Sequence, residues 1–253
     1  MYDAQIGRWH VVDPMADITE VFTPYHFVRN NPINRIDPTG LTDFKINKDT
    51  GSVEQVGKSN DDPDRVLKTD KDGNIKRKGE GFLGFLVNEE NRGKAKVAFG
   101  GIEKGILEHG QNFKTGGNLF AVGGEGQPSE QGVEAFALKL SSYVGKEIGG
   151  AYFGTSENTT HVSLGGYANN QFKKTQGHGH ALGIGKGLSL TGFFHTHPSG
   201  PNINDSDRLV PSGQDKESRD NALRSMPSLR FYLLTAPDYG GRYPRKIEYT
   251  TGY

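Results

Sequence analysis

The 253-residue chain contains no cysteine. Disulfides, thiolate metal sites and a cysteine nucleophile are therefore excluded, and any metal ion must be held by histidine and carboxylate. The chain also lacks an excess of charge: Lys+Arg and Asp+Glu both number 30. Non-specific nucleic-acid binding draws on a basic surface, so no nucleic-acid partner is expected. No apolar run approaches the roughly 20 residues that span a bilayer, and no membrane segment is expected. Met1–Gln5 has neither the basic start nor the apolar core of a signal peptide, so passage out of the cell would require another carrier. Apolar residues are sparse, at 33%. That content is still enough to form one or two modest cores, and the 36 glycines point to a strand-rich and loop-rich fold.

The pattern along the chain changes twice. Residues 1–41 are rich in aromatics and close on Asn30-Asn31-Pro32 and Asp37-Pro38-Thr39-Gly40, which are turn signals joining short strands. Residues 42 to about 80 are polar and mixed in charge, and from about 81 to 130 the chain is more apolar. Turns are expected at Asp49-Thr50-Gly51 and Asp72-Gly73-Asn74, between weak strands such as 52–56 and 74–76. A calcium loop at Asp70-Lys71-Asp72-Gly73 lacks its remaining ligands and reads as a plain turn. A helix is expected over part of 93–109, weakened by Gly100, Gly101 and Gly105, and Gly-rich 116–128 reads as a connector. In residues 130–253, Val133, Phe136, Ala137, Leu140 and Val144 fall on one face of a helix that Gly145 stops. Strands are expected near 147–154, 160–167, 188–195, 229–235 and 246–250, with a turn at 237–241 and a helix from Ser212. The fold class is α+β, helices packed on a mixed sheet.

The densest chemistry lies in Phe194-His195-Thr196-His197-Pro198 and Pro211-Ser212-Gly213-Gln214-Asp215. On an extended backbone His195 and His197 point to one side and can face one ion. Asp215 downstream supplies a third ligand, leaving a fourth position for water, which is the arrangement of a catalytic Zn2+ site. Asp207 is an alternative third ligand. Ser212-x-x-Asp215 is also a capping box, and the two roles are compatible: the cap fixes Asp215 while Ser212 offers its hydroxyl to substrate. Hydrolysis needs a base as well. Glu147, just past the helix stop, is the best placed. Its neighbouring glycines permit close approach of other backbone. Glu134 and Glu108 are weaker rivals. A second His-x-His, His178-Gly179-His180, lacks a following Ser-x-x-Asp and reads as a solvent or hydrogen-bonding pair. The glycines around Lys186 do not complete a phosphate loop.

Taken in order, Glu147-Ile-Gly-Gly-x-x-x-Gly154, His195-x-His197-Pro198 and Ser212-x-x-Asp215 resemble the JAB/MPN/JAMM metalloprotease signature, over residues 130–253. The resemblance implies a JAB/MPN-like mixed sheet with packed helices. It also implies a zinc ion on His195, His197 and Asp215, Glu147 as the base and Ser212 aiding the oxyanion. The stretch between Pro198 and Ser212 is longer than that family's usual spacing.

Residues 1–41 resemble the end of an Rhs repeat-associated core, through Ile6-Gly7-Arg8-Trp9, Asp13-Pro14, Asn30-Asn31-Pro32-Ile33 and Asp37-Pro38-Thr39-Gly40-Leu41. That resemblance implies a β fragment of a larger shell, of which only the last piece is expected here. It further implies cleavage after Leu41 with Asp13 and Asp37 as candidate aspartates, and 42–129 as a variable linker or toxin segment. Together the two resemblances imply a polymorphic toxin, secreted or delivered to a target cell with the shell. It would hydrolyse a peptide or isopeptide bond in a protein or peptide substrate and be restrained by a cognate immunity protein. The alternatives are a metal-dependent nuclease toxin and a non-catalytic MPN-like binding module.

Overall fold

The apolar stripe between 130 and 144 becomes the central helix. The computed structural model describes residues 2–3, 8–9, 42–56, 59–80, 92–167, 180–198, 209–236 and 243–252. Helix α1 spans Glu130–Val144. Ser129 caps it: the Ser129 hydroxyl accepts the Gly132 N–H at 2.9 Å, while its own N–H and O–H donate to the Glu103 carboxylate at 2.6 and 3.0 Å. This satisfies donors that a helix start otherwise leaves unpaired. The helix ends at Gly145, left-handed at φ 69°. The Gly145 and Lys146 N–H groups both donate to the Ser141 carbonyl, at 2.8 and 3.1 Å, an arrangement that glycine adopts without strain. The cap turns the chain directly toward a strand, and Glu147 lies in that short link.

Near the N-terminus β1 (Tyr2–Asp3) pairs antiparallel with β2 (Arg8–Trp9). A four-stranded sheet follows, made of β3 (Asp43–Ile46), β4 (Val53–Val56), β5 (Asp64–Leu67) and β6 (Val97–Ile102), in the order β4-β3-β5-β6. A six-stranded sheet is built from β7 (Asn118–Ala121), β8 (Gly149–Gly154), β9 (Thr159–Leu164), β10 (Leu190–Thr196), β11 (Arg230–Thr235) and β12 (Arg245–Glu248). Its order is β12-β11-β10-β8-β9-β7. Its pairs are antiparallel except β10 with β11. Those two run parallel, with helix α2 (Gly213–Ser225) in the crossover between them. The class is α+β, as the sequence implies.

Alternation along the strands of the six-stranded sheet sorts side chains onto its two faces. Tyr152, Phe194 and Leu234 join Val133, Phe136 and Leu140 of α1 in one core, which also takes in Phe44, Ile46 and Val66 of the smaller sheet. Ala151, Phe153, Phe193, Phe231 and Leu233 pack on the other face with Tyr249, against Ala222 and Leu223 of α2. Each large side chain so buried contributes about 1.5–3 kcal/mol. Thus α1 lies between the two sheets and α2 covers the far face of the larger one.

Three local expectations change. Part of 93–109 is strand β6, not helix. Its pairing with β5 shifts register at Val66, and Gly101 has φ 65°; the glycines serve an irregular strand where a helix would only be weakened. The Gly-rich stretch 116–128 carries edge strand β7, which places Phe120 in the core. Residues 74–76 form only an isolated bridge, Thr69 with Ile75. The turn before them is a plain one: the Asp70 carboxylate accepts the N–H groups of Asp72 and Asn74 at 2.9 and 2.8 Å. Asp13, Asp37, Leu41, His178, Asp207 and the turn at 237–241 lie outside the described residues.

Candidate metal centre

The pleat that puts Phe193 on the α2 face puts His195 there too, and His197, one residue past the strand, follows. His195 is fully buried, and the His197 side chain keeps 11% exposure. Backbone bonds hold this corner. The His197 N–H donates to the Leu234 carbonyl at 2.9 Å, and the Thr196 N–H to the Ile148 carbonyl at 3.0 Å. Helix α2 supplies the third group. Ser212 is its N-cap, and the capping box read from the sequence is present in both directions. Asp215 Oδ2 accepts the Ser212 N–H and O–H, each at 2.7 Å. The Asp215 N–H donates to Ser212 Oγ at 3.2 Å. The box fixes the carboxylate in the first helical turn, aimed at the strand end.

The donor atoms converge. His195 Nε2 lies 3.2 Å from His197 Nε2 and 3.4 Å from Asp215 Oδ2. One ligand atom from each of the three residues falls within 4.8 Å of the others. Tetrahedral ligands about 2.05 Å from a zinc ion stand about 3.3 Å apart, so the two separations from His195 fit such a site. Two nitrogens and one carboxylate oxygen suit a borderline cation and leave a coordination position open. A buried carboxylate normally titrates high, and burial acts that way on Asp215. The hydrogen bond and charge of His195 and the two Ser212 donors outweigh it and bring Asp215 down to about 2. Asp215 is therefore an anion, ready to ligate, at any ordinary pH.

Glu147 stands beside the donors on the open side. Its Oε1 is 3.6 Å from His197 Nε2, and its side chain is 39% exposed. Burial raises its pKa first, the His195 charge opposes that, and the Asp215 charge adds to it. A carboxylate raised in this way is better matched to proton transfer near neutrality.

The supporting groups carry no local sequence signal. The Tyr249 hydroxyl is 3.4 Å from His195 Nδ1. Burial, chiefly, and the Asp215 charge push its pKa up, so it stays protonated. It faces the ring nitrogen that the metal donors do not use, where a partner fixes the tautomer. Arg219 of α2 holds the same segment by donating to the Tyr249 carbonyl at 2.7 Å. On the opposite face Thr196 Oγ1 accepts the Ile148 N–H at 2.9 Å and donates to Ser141 Oγ at 2.7 Å. Ser141 Oγ in turn donates to the Lys146 carbonyl at 2.6 Å. This chain of bonds clamps both sides of Glu147 to the histidine strand.

The rival acids are engaged elsewhere. Glu108 is exposed. Glu134 is buried, accepting from the Tyr152 hydroxyl at 2.6 Å and from Lys246 Nζ at 2.7 Å. Lys246 also donates to Glu130 at 2.7 Å and lies over the Tyr152 and Tyr232 rings. Burial alone would depress the Lys246 pKa, but the Glu134 charge and the bonds to both glutamates raise it. A raised lysine stabilises the fold fully below its unfolded value of about 10.4, and that contribution is lost as pH climbs through the folded value. Lys246→Met is expected to be clearly less stable than wild type at pH 8 in urea denaturation, with the gap narrowing above about pH 10.4. A gap unchanged across that range would contradict this account of the cluster. His180 packs edge-on against Phe193, ring centroids 5.8 Å apart, while His178 is not described.

No known protein-family model matches the chain, and no curated protein matches it either.

Proposed function

We propose that the chain is a zinc-dependent amide hydrolase of the JAB/JAMM kind, cutting a peptide or isopeptide bond. The observation that carries this is the convergence of His195, His197 and Asp215 with their ligand atoms within 4.8 Å of one another, and Glu147 3.6 Å from His197 on the exposed side. Their order along the chain, which resembles that signature, supports the choice of an amide over other bonds. A zinc ion held by the three donors would supply Lewis acidity and lower the pKa of water. Glu147 takes one proton from the attacking water as oxygen adds to the carbonyl carbon. It then returns that proton to the leaving nitrogen as the C–N bond breaks, so it ends the cycle as it began. Ser212 donates to the developing oxyanion. Its O–H now points at Asp215 Oδ2, so this role requires the hydroxyl to rotate toward substrate while its N–H keeps the cap. The setting, an effector delivered by an Rhs-type shell and restrained by an immunity protein, rests on the resemblance of residues 1–41.

The test is a zinc-loaded preparation of the full chain offered peptides, isopeptide-linked protein conjugates and, separately, DNA and RNA. New amine ends that disappear with a chelator and return with zinc are the expected result. Metal-dependent cleavage of nucleic acid alone would replace this reading with the nuclease. Retained metal-free folding with no metal binding would favour the binding module.

A further inference from the structure

Tyr249 follows β12 directly and is buried, at 1% exposure. Its backbone is fixed from two elements. The Tyr249 N–H donates to the Phe231 carbonyl of β11 at 2.9 Å, and the Phe231 N–H donates to the next residue's hydroxyl, Thr250 Oγ1, at 2.9 Å. The Tyr249 carbonyl accepts from Arg219 at 2.7 Å. Arg219 is itself buried and stands one helical turn after Asp215 on the same face of α2. One helix thus carries a metal donor and clamps the segment behind another. The Tyr249 ring meets the His195 ring edge-on, centroids 5.9 Å apart at 86°, and is tilted against Phe231 at 6.0 Å. Ring and backbone together aim the hydroxyl at His195 Nδ1, 3.4 Å away.

The chemistry of His195 asks for a particular kind of partner at that nitrogen. Nε2 is the nitrogen turned to the other donors. To ligate an ion it needs a lone pair there, so the single proton of a neutral ring sits on Nδ1 and is donated. With no ion bound, an Nε2–H has Asp215 Oδ2 as an acceptor 3.4 Å away, and Nδ1 then holds the lone pair. The group facing Nδ1 has to accept in one state and donate in the other. A carbonyl or carboxylate only accepts, and a backbone N–H only donates. A hydroxyl does both by rotating.

We propose that Tyr249 is a positioning residue of the metal centre, its hydroxyl accepting from His195 Nδ1–H when Nε2 ligates zinc and donating to Nδ1 when it does not. This rests on the zinc reading of the three donors. The two bonds are unequal. A cation on the ring draws electron density from it and makes Nδ1–H a stronger donor, so the bond to Tyr249 is worth more in the loaded state. Tyr249 therefore favours metal binding, and not only packing. Phenylalanine would keep the ring contacts and remove the acceptor that faces Nδ1.

The test is zinc affinity of the full chain, by competition with a chromophoric chelator, for wild type, Tyr249→Phe and Lys246→Met. The 15N shifts of the His195 ring are measured in wild type with and without zinc. Tyr249→Phe should bind zinc about 10–100-fold more weakly, the usual cost of losing a partner behind a ligating histidine. Lys246 bonds to Glu130 and Glu134 of α1 on the opposite face of the sheet, so Lys246→Met should lose stability and hold zinc as wild type does. In wild type the ring proton should sit on Nε2 without zinc and on Nδ1 with it. Equal zinc affinity in Tyr249→Phe, or an equal fall in both variants, would overturn the proposal while the metal centre stands. An Nδ1–H in the zinc-free wild type would overturn the two-way role even if Tyr249→Phe failed to fold. A wild type that holds no zinc would overturn the metal reading and this proposal with it.

Discussion

Glu147→Gln is expected to abolish amide hydrolysis, by about 10²–10⁴-fold for loss of a positioned base, while metal content stays at the wild-type level. The substitution keeps the shape of the side chain and removes only its ability to carry a proton. The three donors come from β10, the residue after it, and the first turn of α2, and Glu147 is not among the clustered ligands. It stands 3.6 Å from His197, placed by the αL cap of α1 on one side and the Ile148–Thr196 bonds on the other. Parallel measurement of turnover and bound zinc separates the two roles. A fully active variant would remove Glu147 from the mechanism, and a variant that loses zinc would make it a ligand.

Gly150→Ala is expected to destabilise the protein by about 3 kcal/mol or more, at the upper end of overpacking costs. Gly150 sits mid-sheet, opposite Phe194 of β10 and Leu164 of β9. A methyl group there would come within 2.3 Å of both the Phe194 ring and the Ser163 carbonyl oxygen. The ring is itself fully buried, and the carbonyl is backbone of a neighbouring strand, so neither has room to move. In a chain of this length the melting temperature should fall by about 6–12 °C. A fall within about 2 °C would show that the sheet yields here far more easily than its packing indicates. Because Gly150 lies three residues from Glu147, the sheet at this point also sets the position of the base.

The parts of the site that were legible in the sequence are those set by local chemistry. The two-residue strand period puts His195 and His197 on one face. The Ser212–Asp215 box is written in four consecutive residues, and Gly145 announces the end of α1. The glycines after Glu147 read as places of close approach, and Gly150 is one. What escaped depends on pairing across long stretches of chain. Tyr249 meets His195 across 54 residues, and Lys246 meets Glu134 across 112. Nothing near Tyr249 or Glu134 in sequence names its partner. Strand β7 is four residues set among glycines and gains its order from β9. In β6 a helical reading failed because the segment finds an irregular ladder with β5, a tertiary outcome that overrides local preference.

The most direct test of the central claim is the zinc content of the purified chain after zinc loading and desalting, measured beside His197→Ala. About one zinc per chain, lost in the variant, is what a three-ligand site of this geometry predicts. No retained zinc in the wild type, or equal zinc in the variant, would contradict it.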